Sequence, residues 1–293
     1  MRLSLYKIMA LCWLLALAVA NGEEPKTFED ISKSAEAGNM ESMVTLGTMY
    51  LQGIKAPRDP QKGYNWLLRA ANGGNGKAMN IVGVCLASGL GVDANPKEAL
   101  NWYKKSAAAG YEPAMFNLGK MYLQGIGTEV DAKAGVEWIR KAAETGDTDA
   151  QNVLGICYMT GRGVLADGKQ AVFWYEKAAN GGNAGAQNDL GMMYIQGNGV
   201  DKNLAEGIKW LIRSANQGFV NAQYNLAVVY ESGDKTKSDT VSALKWYLIC
   251  GNNGDGQARQ DAQRLSSIMS PENVAKSEQQ ARQFVAIPEN TGK

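Results

Sequence analysis

The sequence predicts an all-α solenoid of six helix pairs that stack side by side, with a capping helix or helices at each end. Two residue types return every 36 positions without an insertion, a period typical of stacked repeats. The glycines are Gly47, Gly83, Gly119, Gly155 and Gly191, and the tryptophans are Trp66, Trp102, Trp138, Trp174, Trp210 and Trp246. Within each copy, apolar or small residues recur at i, i+4 and i+8, the spacing of one helix face.

Composition narrows the possible functions. A chain of 293 residues often forms two domains, but a repeat array grows along one axis and escapes that rule. The formal net charge is +1, and loss of Arg2 and Lys7 with a leader gives +1 − 2 = −1, so nucleic acid and anionic membranes are not expected partners. The chain has no histidine, which excludes Ser-His-Asp and Cys-His catalysis and histidine-ligated zinc. We expect no catalytic residue, no metal site and no cofactor.

Residues 1–20 have the pattern of a cleaved signal peptide. Arg2 and Lys7 precede an apolar run that ends in Ala18-Val19-Ala20, a small-x-small cleavage pattern. The run is too short for a transmembrane helix, which needs about 20 apolar residues. The sequence therefore predicts an exported protein, periplasmic or secreted, that is not inserted in the membrane after cleavage.

Residues 21–38 predict a linker and an N-terminal capping helix, with Thr27 as a candidate N-cap. The six repeats follow over residues 39–254, and each contains two helices, called helix A and helix B below. Helix A carries the pattern small-x-x-x-Leu-Gly-x-x-Tyr, as in Ala114 to Tyr122. A glycine inside a helix costs about 1 kcal/mol relative to alanine. Its recurrence therefore predicts a close approach of a neighbouring helix.

Helix B is predicted to begin after an Asp or Asn, which are preferred N-cap residues. These are Asp59, Asn95, Asp131, Asp167, Asn203 and Asp239. Each helix B is predicted to end before a glycine in the left-handed C′ position. These are Gly74, Gly110, Gly146, Gly182, Gly218 and Gly254. Residues 255–286 predict C-terminal capping helices with a more polar outer face, and residues 287–293 a disordered tail.

The motif Ala-x-x-x-Leu-Gly-x-x-Tyr-x-x-Gly-x-Gly-Val, then Asp, then Ala-x-x-Trp-x-x-Lys-Ala-Ala-x-x-Gly, resembles the Sel1-like repeat, a relative of the tetratricopeptide repeat. Residues 150–182 match it almost position for position, and the resemblance covers residues 39–254. It implies a right-handed superhelix that binds proteins or peptides, and the ending of the chain is similar to that of bacterial members. Lys55 and Lys235 replace the second loop glycine, so we expect looser loops there.

Three cysteines remain after the predicted leader: Cys85, Cys157 and Cys250. Cys85 and Cys157 occupy the same position two repeats apart, beyond the limit of about 7 Å between the Cα atoms of a disulfide. We interpret all three as buried thiols that act as small hydrophobic residues. Some exported relatives join helix A to helix B by a disulfide, but no repeat here contains two cysteines.

An enzyme is the alternative interpretation. Cysteine-rich relatives are associated with β-lactam binding or hydrolysis, and Ser232-Gly-Asp-Lys235 matches S-x-x-K, in which a lysine activates a serine. The match lies in a loop, and no K-T-G or S-D-N follows. The segment Gly73 to Lys77 resembles a phosphate loop, but Ala78 replaces the residue that holds magnesium. We favour a non-enzymatic protein and keep a cell-wall or β-lactam hydrolase as the alternative.

Residues that vary between repeats at one helix-A position predict the binding surface, because the shared core keeps the same residue in every copy. In related tetratricopeptide arrays helix A lines the concave face. The candidate groove residues are Asn80, Phe116, Lys120, Asn152, Met159, Asn188, Met192 and Tyr224. The asparagine amides offer both a donor and an acceptor to an extended peptide backbone, and methionine adapts to apolar side chains.

The sequence therefore predicts an exported scaffold that binds a protein or peptide through the concave face. A purely structural or oligomer-forming spacer is a third interpretation. The partner and the oligomeric state stay open.

Overall fold

The computed structural model describes residues 27–233 and 239–289, and this part of the chain is helical with short turns and loops. Its fifteen helices begin with α1 (Phe28–Glu36) and end with α14 (Gly256–Ile268) and α15 (Pro271–Gln283). The helices A are α2 (Met40–Gln52), α4 (Gly76–Ser88), α6 (Glu112–Gln124), α8 (Thr148–Thr160), α10 (Ala184–Gln196) and α12 (Val220–Ser232). The helices B are α3 (Pro60–Asn72), α5 (Pro96–Ala108), α7 (Ala132–Glu144), α9 (Gly168–Asn180), α11 (Leu204–Asn216) and α13 (Thr240–Asn252). The predicted all-α repeat class is confirmed.

The chain forms two compact units. The first contains the described residues up to Met121 together with Gly125–Glu129, and the second contains Tyr122–Gln124 and the described residues from Val130 onward. The predicted signal peptide and most of the linker lie outside the described residues, as does the loop from Asp234 to Ser238.

The residues shared by all repeats form the core of each unit. Leu46, Val82 and Leu118 in the first unit, and Leu154, Leu190 and Leu226 in the second, occupy one repeat position and are buried. The tryptophans divide into two groups. Trp102, Trp174 and Trp246 are buried, and Trp66, Trp138 and Trp210 are half-buried. The prediction that the repeated tryptophans belong to the core is confirmed for the first group and holds in part for the second.

Capping side chains define where the helices begin. Each predicted Asp or Asn precedes a helix B, and its side-chain oxygen accepts a hydrogen bond from a backbone N–H in the first turn. Thr27 and Asp30 form a capping box at the start of α1. The predicted C′ glycines all have positive φ, between 80° and 109°. The local signals therefore give the correct helix boundaries.

The two helices of a repeat pack in two different ways, and these alternate along the chain. The sequence therefore has a 72-residue period in addition to the 36-residue period. The first, third and fifth repeats carry glycine at the fourth position of helix B and leucine or isoleucine at the eighth: Gly63 and Leu67, Gly135 and Ile139, Gly207 and Leu211. The second, fourth and sixth carry alanine and tyrosine there: Ala99 and Tyr103, Ala171 and Tyr175, Ala243 and Tyr247.

The glycine of helix A meets a different surface in each arrangement. A Cβ at Gly47 would lie 2.9 Å from the backbone O of Gly63. A Cβ at Gly83 would instead lie 2.7 Å from a ring carbon of Tyr103. One kind of repeat therefore brings two backbones together, and the other lays a tyrosine ring against the glycine.

The second loop glycine is required by the preceding helix B. A Cβ at Gly163 would lie 2.6 Å from the carbonyl C of Ala132, at the start of α7. Lys55 holds the same left-handed conformation, with φ 58° against 76° for Gly163. The expected looser loop at Lys55 is therefore a closely similar turn, and Lys235 lies outside the described residues.

The three cysteines are free and buried, as predicted. Burial raises the pKa of the Cys85 thiol to about 11 and that of Cys250 to about 12, and it also raises the pKa of Cys157. Thiols with raised pKa values contain little thiolate near neutral pH, so they react slowly.

The expectation of a disordered tail from residue 287 is wrong for residues 287–289. The N–H of Ile287 donates a hydrogen bond of 2.8 Å to the backbone O of Asn216, and Glu289 forms an ion pair with Arg213. The cause is long-range pairing, which the polar composition of the segment does not reveal. Residues 290–293 lie outside the described residues.

Candidate functional site

Seven of the eight predicted residues lie at the fifth or ninth position of a helix A, and Met159 lies at the twelfth position. In the second unit the fifth positions are Asn152, Asn188 and Tyr224, and the ninth positions are Ile156, Met192 and Val228. Positions four apart project from the same side of a helix. We call these six residues the helix-A face.

Side chains at the fifth position bond to the sixth position of the next helix A. In the second unit, Nδ2 of Asn225 donates to Oδ1 of Asn188 at 2.9 Å, and the hydroxyl of Tyr224 donates to Oδ2 of Asp261 at 3.2 Å. In the first unit, Nδ2 of Asn117 donates to Oδ1 of Asn80 at 3.0 Å. Neighbouring repeats are therefore connected by side chains 37 residues apart.

This pairing occupies two of the predicted peptide-binding asparagines. Asn80 and Asn188 are buried. Asn188 accepts from Asn225, and its Nδ2 donates to Oδ1 of Asp189 at 2.9 Å. Their amides contribute to the contact between repeats, and the prediction that they bind a peptide backbone stays a prediction.

The same 37-residue spacing separates Asn152 from Asp189, but the structure shows no hydrogen bond from Asp189 to Oδ1 of Asn152. Oδ1 of Asn152 is buried and has no hydrogen-bond partner among the described residues. Burial raises the pKa of Asp189, against the opposing effect of the hydrogen bond from Asn188. Asn152 is therefore the least satisfied polar residue on the face.

A cluster of charged side chains lies at the C-terminal end of the face. The guanidinium of Arg264 binds Glu231 through two bonds, 2.7 Å to Oε1 and 2.9 Å to Oε2, and lies 3.2 Å from Oδ1 of Asp261. The hydroxyl of Tyr247 donates to Glu231 at 2.8 Å. The bonds from Arg264 lower the pKa of Glu231 despite its partial burial. Tyr224 packs edge-on against Tyr247, with ring centroids 5.7 Å apart, so it belongs to this cluster.

The ninth position gives the second unit an apolar row. Ile156 and Val228 are each 39% exposed, and Met192 between them is half-buried. Met159, three positions after Ile156, is also exposed. A contiguous exposed apolar patch is a typical contact surface for a partner, whereas apolar residues exposed singly are common.

In the first unit the predicted Phe116 and Lys120 lie together on α6. The ammonium group of Lys120 is 4.6 Å from the ring centroid of Phe116, a cation–π contact. Both side chains are half-buried. They form a mixed aromatic and basic patch.

The predicted residues thus form three local groups: Asn80 with Asn117, Phe116 with Lys120, and the helix-A face of the second unit together with Met159. Ile156, Val228 and Asp189 are not among the predicted residues. The signal for Asp189 is its 37-residue spacing from Asn152.

In the described residues, the features considered for the enzymatic alternative do not form a catalytic arrangement. Oγ of Ser232 donates to the backbone O of Val229 at 3.2 Å, and its proposed partner Lys235 lies outside the described part. No group of three or more Cys, Asp or Glu side chains in residues 27–233 and 239–289 is arranged to hold a metal ion. None of the helices in that part combines the length and apolar character needed to cross a membrane.

The sequence pattern of the Sel1 repeat matches six consecutive segments of the chain. They are residues 41–75, 76–111, 112–147, 148–183, 184–219 and 220–255. None of the curated proteins compared with the chain gives a significant match.

Several solved structures are similar to this chain. The crystal structure of a Sel1 repeat protein from Oxalobacter formigenes is 29% identical, with a TM-score of 0.67, over 72% of this chain and 85% of that one. A protective antigen of uropathogenic Escherichia coli that displays an SLR fold is 24% identical, with a TM-score of 0.40, over 94% and 75%. An immunity protein of Pseudomonas aeruginosa is 20% identical, with a TM-score of 0.46, over 85% of each chain.

Proposed function

We propose that this chain, which belongs to the Sel1 repeat family, is an exported scaffold that binds a protein or peptide partner through the helix-A face. Proteins with Sel1 repeats generally act as scaffolds for protein–protein interactions. The observation that carries the choice of surface is the apolar row at Ile156, Met192 and Val228, flanked by the incompletely paired Asn152. The partner therefore presents apolar side chains to the row.

The helix-A face is tested by placing charges on its exposed apolar residues. The double substitution Ile156→Glu and Val228→Glu is expected to abolish capture of the partners that the parent protein recovers from the native cell envelope, because carboxylates oppose burial of an apolar partner surface. The readout is quantitative mass spectrometry of the captured proteins.

The matched control carries two equal charges away from the face. Leu165 and Ile268 are 91% and 75% exposed, and the Leu165→Glu, Ile268→Glu variant is expected to recover the parental partners. Circular dichroism of both variants checks that the fold is retained. If the face variant recovers the same partners as the parent, the proposed surface is wrong.

Export rests on residues 1–20. Mass spectrometry of the chain expressed from its own start codon is expected to find a mature N-terminus at Asn21 in the periplasm or the culture medium, because Ala18-Val19-Ala20 has the cleavage pattern. A variant with Ala18→Leu and Ala20→Leu is expected to accumulate uncleaved. A parental protein that keeps Met1 and stays in the cytoplasmic fraction contradicts export.

A further inference from the structure

Residues 284–289 follow α15 and lie along an edge of the second unit, where helices B end and the next helices A begin. The ring of Phe284 packs edge-on against Trp246, with centroids 5.4 Å apart. Ala286 lies beside Gly218, and the N–H of Ile287 donates to the backbone O of Asn216 at 2.8 Å. The segment is thus bound like an extended peptide, with side-chain and backbone contacts.

Glu289 is the most strongly held residue of this segment. Arg213 donates to both of its carboxylate oxygens, at 2.9 Å from Nε and 2.8 Å from a terminal nitrogen. Nε2 of Gln187 donates to Oε2 at 2.9 Å, and the N–H of Glu289 donates to Oε1 of Gln217 at 3.3 Å. The bond from Arg213 is the main cause of the lowered pKa of Glu289. A two-pronged guanidinium–carboxylate pair fixes geometry as well as charge.

Arg213 is one member of a repeated arrangement. Its guanidinium lies 4.5 Å from the ring centroid of Trp210, three positions earlier on the same helix B. The equivalent ammonium groups of Lys177 and Lys141 lie 4.9 Å and 4.1 Å from the tryptophans three positions before them. We call these three pairs, Trp138 with Lys141, Trp174 with Lys177, and Trp210 with Arg213, the cation–tryptophan row.

The glutamine of the Glu289 site also recurs. Nε2 of Gln151 donates to the backbone O of Ala143 at 3.1 Å, as Nε2 of Gln187 does to Ala179 at 3.0 Å. The fourth repeat therefore offers a carboxylate both a cation, Lys177, and an amide, Gln151. In the sixth repeat the buried Ile249 replaces the cation, and there the tail presents Phe284 to the tryptophan.

Lys177 and Lys141 are exposed, and neither forms an ion pair with any residue in the described part of the chain. Two cation–tryptophan pairs of the row are therefore open to a ligand, whereas the pair at Arg213 is occupied by Glu289. The pair at Lys177 also has the glutamine, and at Lys141 a methionine, Met115, takes its place.

We propose that the cation–tryptophan row is a second binding surface, separate from the helix-A face, for an extended segment of another protein that carries carboxylates five residues apart. The spacing of five residues is taken from the bound C-terminal segment, residues 284–289. Phe284 and Glu289 are five residues apart and contact residues at Trp246 and Trp210, which are one repeat apart. The bound segment runs with its C-terminus toward the N-terminal repeats, as the tail does. A single exposed ion pair binds weakly, so two adjacent sites have to be engaged together.

The probe is a labelled synthetic peptide with two tandem copies of Val285-Ala286-Ile287-Pro288-Glu289, in which the glutamates are five residues apart. Fluorescence anisotropy with the full chain at low salt is expected to show binding that weakens as salt rises, since exposed charges are screened. A peptide with both glutamates replaced by glutamine is expected to bind at least tenfold more weakly. Equal binding of the two peptides overturns the proposal.

Variants locate the binding site. Lys177→Gln and Lys141→Gln are each expected to weaken binding at least fivefold, and Lys169→Gln, which removes an exposed lysine from the start of α9, is expected to leave it unchanged. Glu289→Gln frees Arg213 and is expected to strengthen binding. If Lys177→Gln binds the peptide as tightly as the parent does, the cation–tryptophan row is not the binding surface. Loss of binding in the Ile156→Glu, Val228→Glu variant with retention in Lys177→Gln would place the peptide on the helix-A face instead, so the two surfaces are distinguished.

Discussion

Replacing Gly163 with alanine is expected to destabilise the protein by on the order of 3 kcal/mol. Gly163 has φ 76°, and a side chain in the left-handed region costs about 1–2 kcal/mol. The added Cβ would overlap the backbone carbonyl of Ala132 and lie 2.9 Å from Cγ2 of Val136. Overlap of this kind costs roughly a further 1–3 kcal/mol. The free energy of unfolding from urea titration measures the sum.

Gly110→Ala separates the two causes. Gly110 has φ 80°, and no atom lies within 4 Å of the position of its Cβ. Its substitution is therefore expected to cost only the conformational strain, about 1–2 kcal/mol. If Gly163→Ala and Gly110→Ala destabilise equally, the contact between a loop and the preceding helix B does not explain the second loop glycine.

The sequence predicts most of the fold because the relevant signals are local and repeated. A capping Asp or Asn acts on backbone N–H groups two or three residues away, and a C′ glycine acts on its own turn. Such signals need no knowledge of the rest of the chain. The 72-residue alternation is equally visible in the residues, as in Gly207 and Leu211 against Ala171 and Tyr175, but it disappears when all copies are averaged into one motif.

The candidate site is predicted less well, because variability marks a position without saying what the side chain touches. Asn188 and Met159 are both variable, yet Asn188 is buried between repeats and Met159 is exposed. The difference depends on the residue 37 positions later. The pairing of Glu289 with Arg213 joins residues 76 positions apart and has no periodic signal in the sequence.

Replacing Gly207 with alanine is expected to destabilise the protein by about 2 kcal/mol, although alanine is the better helix former. Gly207 lies inside α11, so its helix propensity alone predicts a gain of about 1 kcal/mol. The added Cβ would lie 2.6 Å from the backbone O of Gly191 on α10. A backbone atom cannot rotate away, so α10 and α11 have to separate along a buried contact. The sign of the change therefore decides between propensity and packing.

Gly155→Ala tests the same idea in a repeat of the other kind. There the added Cβ would lie 2.7 Å from ring carbons of Tyr175. In the sixth repeat the chain already combines Ala227 with Tyr247, both buried, which is direct evidence that a tyrosine ring accommodates this methyl group. Gly155→Ala is expected to be less destabilising than Gly207→Ala by at least about 1 kcal/mol in urea titration. If the order is reversed, the alternation of backbone and ring contacts does not govern how the two helices of a repeat pack.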